Sequence, residues 1–147
     1  MLALMAAVSG CASPKAVPET VPADFGLSFT VLRAEGDCKA AWYVLQPDGV
    51  LRAVEGVRRE STPIPPPVRV LSTDEREGLW RIVRKSYWLA TPTPTGFRVA
   101  SELEASDVSV SVTGDDRRST LIGPIDDPHS IEMEAMLRDL AWLNEGM

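Results

Sequence analysis

Residues 107–122 read DVSVSVTGDDRRSTLI. Val108, Val110 and Val112 alternate with serines, a period of two that predicts a strand with one buried face. The stretch from Thr113 to Asp116 supplies glycine and aspartates for a turn, and 117–122 reads as the return strand. An antiparallel hairpin late in the chain, with helical patterns on both sides of it, decides the fold class.

Downstream, Asp127 is placed to cap a helix with Pro128 at its first position. Met133, Met136, Leu137, Leu140 and Leu143 make a helical stripe, and Gly146 suits a C-terminal cap. Upstream, Ser72-Thr73-Asp74-Glu75 is a capping box, in which the Ser72 hydroxyl and the Glu75 carboxylate each accept from the other's amide. It predicts a helix over 73–87 with Leu79, Ile82, Val83 and Ser86 on one stripe and Trp80 and Tyr87 flanking it. Gly78 weakens this helix slightly, and the run from Thr91 to Gly96 ends it.

Further upstream, Phe25, Leu27, Phe29 and Val31 alternate with smaller residues and predict a first strand. A turn at Gly36-Asp37, a strand over 39–46, a turn at Pro47-Asp48-Gly49 and a strand over 50–57 complete a meander. The prolines from 63 to 67 force an extended segment, with an edge strand over 68–71. The order β-β-β-(β)-α-β-β-α predicts an α+β fold, an antiparallel β-meander with two amphipathic helices packed on the sheet.

The N-terminus has a different character. Residues 1–8 are all apolar, and Val8-Ser9-Gly10-Cys11 follows. A short apolar run ending in small residues is the pattern of a secretory signal. The quartet resembles the lipobox of bacterial lipoproteins. That resemblance implies cleavage before Cys11, a lipid on its thiol and attachment to a membrane of the cell envelope. Ala12 and Ser13 after the cysteine, with no Asp there, imply the outer membrane facing the periplasm in a Gram-negative cell. No Lys or Arg precedes Cys11, a departure from the family that a start codon upstream of Met1 would remove. The alternative is an apolar N-terminus that stays on the protein, with Cys11 free or paired to Cys38. Three prolines among small residues make 11–23 a semi-extended tether, so residues 1–10 are expected to be a signal peptide and 24–147 a single globular domain.

The stretch 70–143 also resembles small emfourin-type proteins, some of which inhibit thermolysin-like metallopeptidases. A capped helix ending in Trp88-Leu89, a proline-rich loop, the alternating strand from Asp107, a Gly-Asp turn, a return strand and an amphipathic helix carry it. No inhibitory residue is transferred.

Composition limits the chemistry. A net charge of −6, with Arg58-Arg59 and Arg117-Arg118 interleaved among acids, argues against a nucleic-acid partner. Two cysteines and one histidine are too few for a disulfide scaffold or a structural zinc site. Asp126, Asp127 and His129 admit a metal-ligand reading, but a helix N-terminus explains them more simply. Asp115 and Asp116 with Asp126 and Asp127 admit a calcium reading, against a solvated hairpin tip. Trp42, Trp80, Trp88 and Trp142 admit a ligand pocket, against core packing. No nucleophile elbow, Walker loop or dinucleotide glycine pattern occurs. The expectation is a lipid-anchored envelope protein that binds a protein partner or ligand, with no cofactor and no catalysis. A metallopeptidase inhibitor is the alternative and an envelope enzyme the third reading.

Overall fold

A computed structural model describes residues 17–32, 41–55, 64–90, 92–99 and 107–142. The expected signal peptide and lipobox with Cys11, the first part of the expected tether, the expected Gly36-Asp37 turn, Cys38, Leu143 and Gly146 lie outside these residues. Six strands form one sheet: β1 Gly26–Val31, β2 Ala41–Leu45, β3 Val50–Glu55, β4 Pro67–Val70, β5 Asp107–Gly114 and β6 Arg117–Pro124. Two helices, α1 Thr73–Ser86 and α2 Pro128–Trp142, complete it. The fold is α+β, as the pattern of elements implied. No helix among the described residues is long and apolar enough to cross a membrane.

The strand order is β4-β3-β2-β1-β5-β6, and every pairing is antiparallel. The first four strands are therefore the meander that the turns predict. The chain then leaves the β4 edge through α1 and returns on the far side of β1, where Leu27 pairs with Val112 and Phe29 with Val110. Alternation sends one set of side chains from each strand under the helices. Phe25, Leu27, Phe29 and Val31 meet Tyr43, Leu45, Leu51, Val110, Val112 and Leu121 there. Leu79, Ile82, Val83 and Ser86 of α1 are buried as their stripe predicted. Trp80 departs from its expected flanking place and lies in the core, 1% exposed, because its ring reaches Phe25 with centroids 5.0 Å apart.

Both ends of α1 carry the chemistry their sequence announces. Ser72 Oγ accepts from the Glu75 amide at 3.2 Å, and Glu75 Oε1 accepts from the Ser72 amide at 3.0 Å. At the other end Tyr87 takes a left-handed conformation, φ 60°, and the residue is 66% exposed. A side chain there is strained and packs little, whereas glycine adopts the conformation freely. Tyr87→Gly is expected to stabilise the fold by up to about 1 kcal/mol; a loss of melting temperature would contradict this account of the cap.

The β5–β6 hairpin closes with Asp115 and Asp116 at φ 53° and 57°, both positive as its two-residue turn requires. Their amides donate to the Asp24 carboxylate at 2.8 and 2.9 Å. The Asp116 amide is the main cause that lowers the Asp24 pKa; desolvation opposes it and the Asp115 amide reinforces it. The native state thus binds the Asp24 proton less tightly than the unfolded chain. The stability it contributes is present above an ordinary Asp pKa of about 3.9 and is lost as pH falls through the lower native value. In Asp24→Asn, melting temperature is expected to fall less steeply between about pH 4 and pH 2 than in the parent chain. Parallel slopes would mean that the carboxylate does not hold the turn.

The domain starts earlier than composition suggested. Residues 17–23 belong to the expected tether, yet Val17 and Val21 pack against the core. Trp80 Nε1 donates to the Pro18 carbonyl at 2.8 Å, the Phe25 amide donates to Pro22 O at 3.1 Å, and Arg84 lies 3.7 Å from Glu19. An extended proline-rich segment lacks periodicity, but it offers free carbonyls and two valines, and the rim of the core uses both.

Candidate functional site

The helices cover one face of the sheet. On the other, strand alternation presents Ser28 and Thr30 from β1, Trp42 and Val44 from β2, Ser109 and Ser111 from β5 and Thr120 from β6. Register aligns these in rows. Thr30 stands between Trp42 and Ser109, and Ser28 between Val44 and Ser111. On the β3 side, Val54 is opposite Trp42 and Arg52 is opposite Val44. The face therefore has an apolar wing of Val54, Trp42 and Val44 and a hydroxyl wing running from Ser28 to Thr120.

Hydrogen bonds orient this surface. Trp42 Nε1 donates to Ser28 Oγ at 3.1 Å, which turns the indole along the sheet, and Ser111 Oγ lies 3.1 Å from Thr120 Oγ1. Arg52 is held to its own edge by Gln46 Oε1 at 3.3 Å and the Pro65 carbonyl at 3.1 Å. A shallow depression of about 220 Å³ lies between the wings, lined by Ser28, Val44, Gln46, Ser111 and Thr113 around Gly26. A Cβ on Gly26 would come within 2.8 Å of Thr113 Oγ1, which itself donates to the Asp24 carbonyl at 3.2 Å. Glycine thus keeps the floor open. Half-buried apolar groups beside neutral hydroxyls suit a contact made by packing and uncharged hydrogen bonds.

A second polar group sits on the helix side. Arg138 of α2 bonds Glu134 Oε1 at 2.8 Å and lies 3.9 Å from Glu55 of β3. The Tyr43 hydroxyl lies beside this guanidinium, fully buried and without a hydrogen bond of standard geometry. Burial pushes the Tyr43 pKa up. Burial alone would lower the Arg138 value; Tyr43 and the two carboxylates outweigh it and hold it above its usual range. The Arg138–Glu55 pair links α2 to β3. Removing an unbonded buried hydroxyl while keeping the ring costs little. Tyr43→Phe is accordingly expected to change stability by less than about 1 kcal/mol, on the neutral or stabilising side. A larger loss in denaturant melts would show that Arg138 bonds the phenol.

The candidates raised by the sequence are dispersed. Cys11 and Cys38 lie outside the described residues. Asp115 and Asp116 sit at one end of the hairpin and Asp126 and Asp127 beyond the other, about 25 Å away along strands of eight residues. Asp127 caps α2, accepting from the Ser130 amide at 2.9 Å and its hydroxyl at 3.1 Å, and His129 lies in the first turn. Among the described residues no three His, Cys, Asp or Glu groups converge as for a metal ion. Trp80 and Trp88 are in the core, and Trp142 packs against it partly buried. Trp42 is the tryptophan that reaches the open face. Arg117 lies 3.7 Å from Asp115, and Arg118 is exposed. Sequence reasoning did not pick out the open face or Asp24. The one signal for the face was the serine phase of DVSVSV, which marks a side of the sheet without saying what covers it.

No family model matches the chain, and no curated protein sequence matches it.

Proposed function

We propose that this is a non-catalytic binding domain of the cell envelope, held on a membrane by lipid on Cys11, which engages a partner through its helix-free sheet face. The observation that carries the binding reading is that face itself, with Trp42 oriented by Ser28 beside a row of neutral hydroxyls. The lipobox pattern ending at Cys11 supports the anchor. Mass spectrometry of the mature N-terminus from the native host tests the anchor, with Cys11→Ala as control. A chain beginning at acylated Cys11 is the expected result; an intact Met1 or an unmodified Cys11 thiol removes it. Crosslinking from the tethered form tests the face. Ser111→Lys is expected to abolish capture of the partner without lowering stability, and undiminished capture would place the contact elsewhere.

A second reading is inhibition of a thermolysin-like metallopeptidase. It is supported by the order α1-β5-β6-α2, the order on which the emfourin resemblance rests. A stoichiometric inhibition assay separates the two readings, and no effect at micromolar excess removes this one.

A further inference from the structure

The depression on the open face carries no charge. Its side chains come from Ser28, Val44, Gln46, Pro47, Ser111 and Thr113, none of them ionisable, in a chain that is 24% charged. Arg52, opposite Val44 in register, is committed to Gln46 Oε1 and the Pro65 carbonyl. A charged ligand would lose hydration here and meet no opposite charge. The depression also lies on β1, β2 and β5, which are internal strands, so an added peptide strand finds no free edge. Serine and threonine are sparse among the residues that anchor protein partners. What the site does offer is hydrogen bonding of both senses. Ser28 Oγ accepts from the Trp42 indole at 3.1 Å, which leaves its own proton to donate. Thr113 gives its proton to the Asp24 carbonyl at 3.2 Å, which leaves its lone pairs to accept. Gln46 accepts from Arg52 on its oxygen, which leaves its amide nitrogen to donate. Trp42 borders these groups. Its bond runs to a diagonal neighbour, since Ser28 is opposite Val44 and not opposite Trp42. The indole is thereby laid along the sheet, half-buried, with one face down and the other outward.

We infer that the open face is a saccharide site, in which the Trp42 ring carries one pyranose unit of a neutral glycan and the depression around Gly26 takes a neighbouring unit. This rests on the reading of that face as the binding surface and adds the class of partner. A pyranose ring has an apolar face of C–H groups and a rim of hydroxyls. The apolar face packs on an aromatic ring that is flat and fixed in place. Each rim hydroxyl both donates and accepts, which matches the mixed senses of Ser28, Gln46 and Thr113. The site has the length for such a chain. From Trp42 to Gln46 along β2 is about 13 Å, room for about two or three linked rings. Glycine at 26 leaves the floor low enough for a ring to enter, because a Cβ there would lie 2.8 Å from Thr113 Oγ1 and fill the space.

The test titrates the isotopically labelled full chain with cellotetraose, with tetra-N-acetylchitotetraose and with a galacturonate trimer as the charged counterpart, followed by NMR. Saturable shifts of the Trp42 indole and of the Ser28, Gln46 and Ser111 amides are expected, with half-saturation at roughly 1 mM for at least one neutral probe. The galacturonate trimer should bind at least about tenfold more weakly. Trp42→Ala should weaken the neutral probe by about tenfold. Ser111→Val, which keeps a strand-forming side chain, should weaken it as well, and a dispersed spectrum of each variant shows that the fold is kept. Absence of shifts at these positions by about 10 mM of both neutral probes, shifts that cluster elsewhere, or tighter binding of the galacturonate overturns the inference. Capture of a protein through this face by crosslinking, with both neutral saccharides silent, removes the glycan and leaves the face as the binding surface. Undiminished capture by Ser111→Lys removes the face itself.

Discussion

Trp80→Ala is expected to cost about 3–5 kcal/mol, out of a total that for a domain of this size is about 5–15 kcal/mol. Trp80 lies at the meeting point of three parts of the molecule. Its ring packs edge-on against Phe25 of the segment entering β1, and its far edge lies against Gly114 at the end of β5. Its indole nitrogen holds the 17–22 strap through the Pro18 carbonyl. Truncation would leave a cavity lined by groups that belong to three separate elements, and elements that are fixed by other contacts collapse poorly into such a space. It would also release Val17 and Val21 from the rim. Trp80→Phe should cost less, about 1–2 kcal/mol, since it keeps most of the ring packing and removes the bond to Pro18. Denaturant melts of the two variants, with protease cleavage near residue 20 as the readout of strap release, check both parts. A cost below about 1 kcal/mol for Trp80→Ala would mean the ring is not part of the core.

Leu137→Ala is the second large effect, expected at about 2–5 kcal/mol. The inward side of α2 is less apolar than its stripe of methionines and leucines suggests, because Ser130 and Glu134 are also buried there. Apolar docking is therefore concentrated in Met133, Leu137 and Leu140, and Leu137 is fully buried. The polar fastening by Arg138, Glu134 and Glu55 sets where α2 sits, but partly exposed ion pairs contribute little net energy. Losing Leu137 should consequently lower the denaturant midpoint strongly while leaving the slope of the transition unchanged. Ile131→Ala, earlier on the same helix and 53% exposed, should stay within about 0.5 kcal/mol of the parent. Equal costs at the two positions would contradict the described docking of α2.

Much of this architecture is legible in local sequence because local sequence causes it. Period-two alternation produced β1 and β5, the Pro47-Asp48-Gly49 turn joined β2 to β3, and the Ser72–Glu75 and Asp127 caps started the two helices near the expected residues. These features depend on steric limits and hydrogen bonds within a few residues of one another.

The rest depends on which segments meet. The order β4-β3-β2-β1-β5-β6 required β5 to pair with β1 rather than with the β4 edge, and an alternating strand carries no label for its partner. Trp42 and Trp80 each sit in a short apolar run, and composition did not separate the one on the open face from the one in the core. Asp24 became the holder of a turn some ninety positions away only when β1 and β5 paired. Residues 17–23 read as a tether because they lack periodicity; they became a strap because a buried indole nitrogen needed an acceptor at the rim of the core. The sequence by itself thus determined the elements and their caps. The tertiary structure decided strand order, which tryptophan faces outward and the packing of residues 17–22 on the domain. Each of those is settled by burial and hydrogen bonding between groups that chain distance keeps apart until the sheet forms.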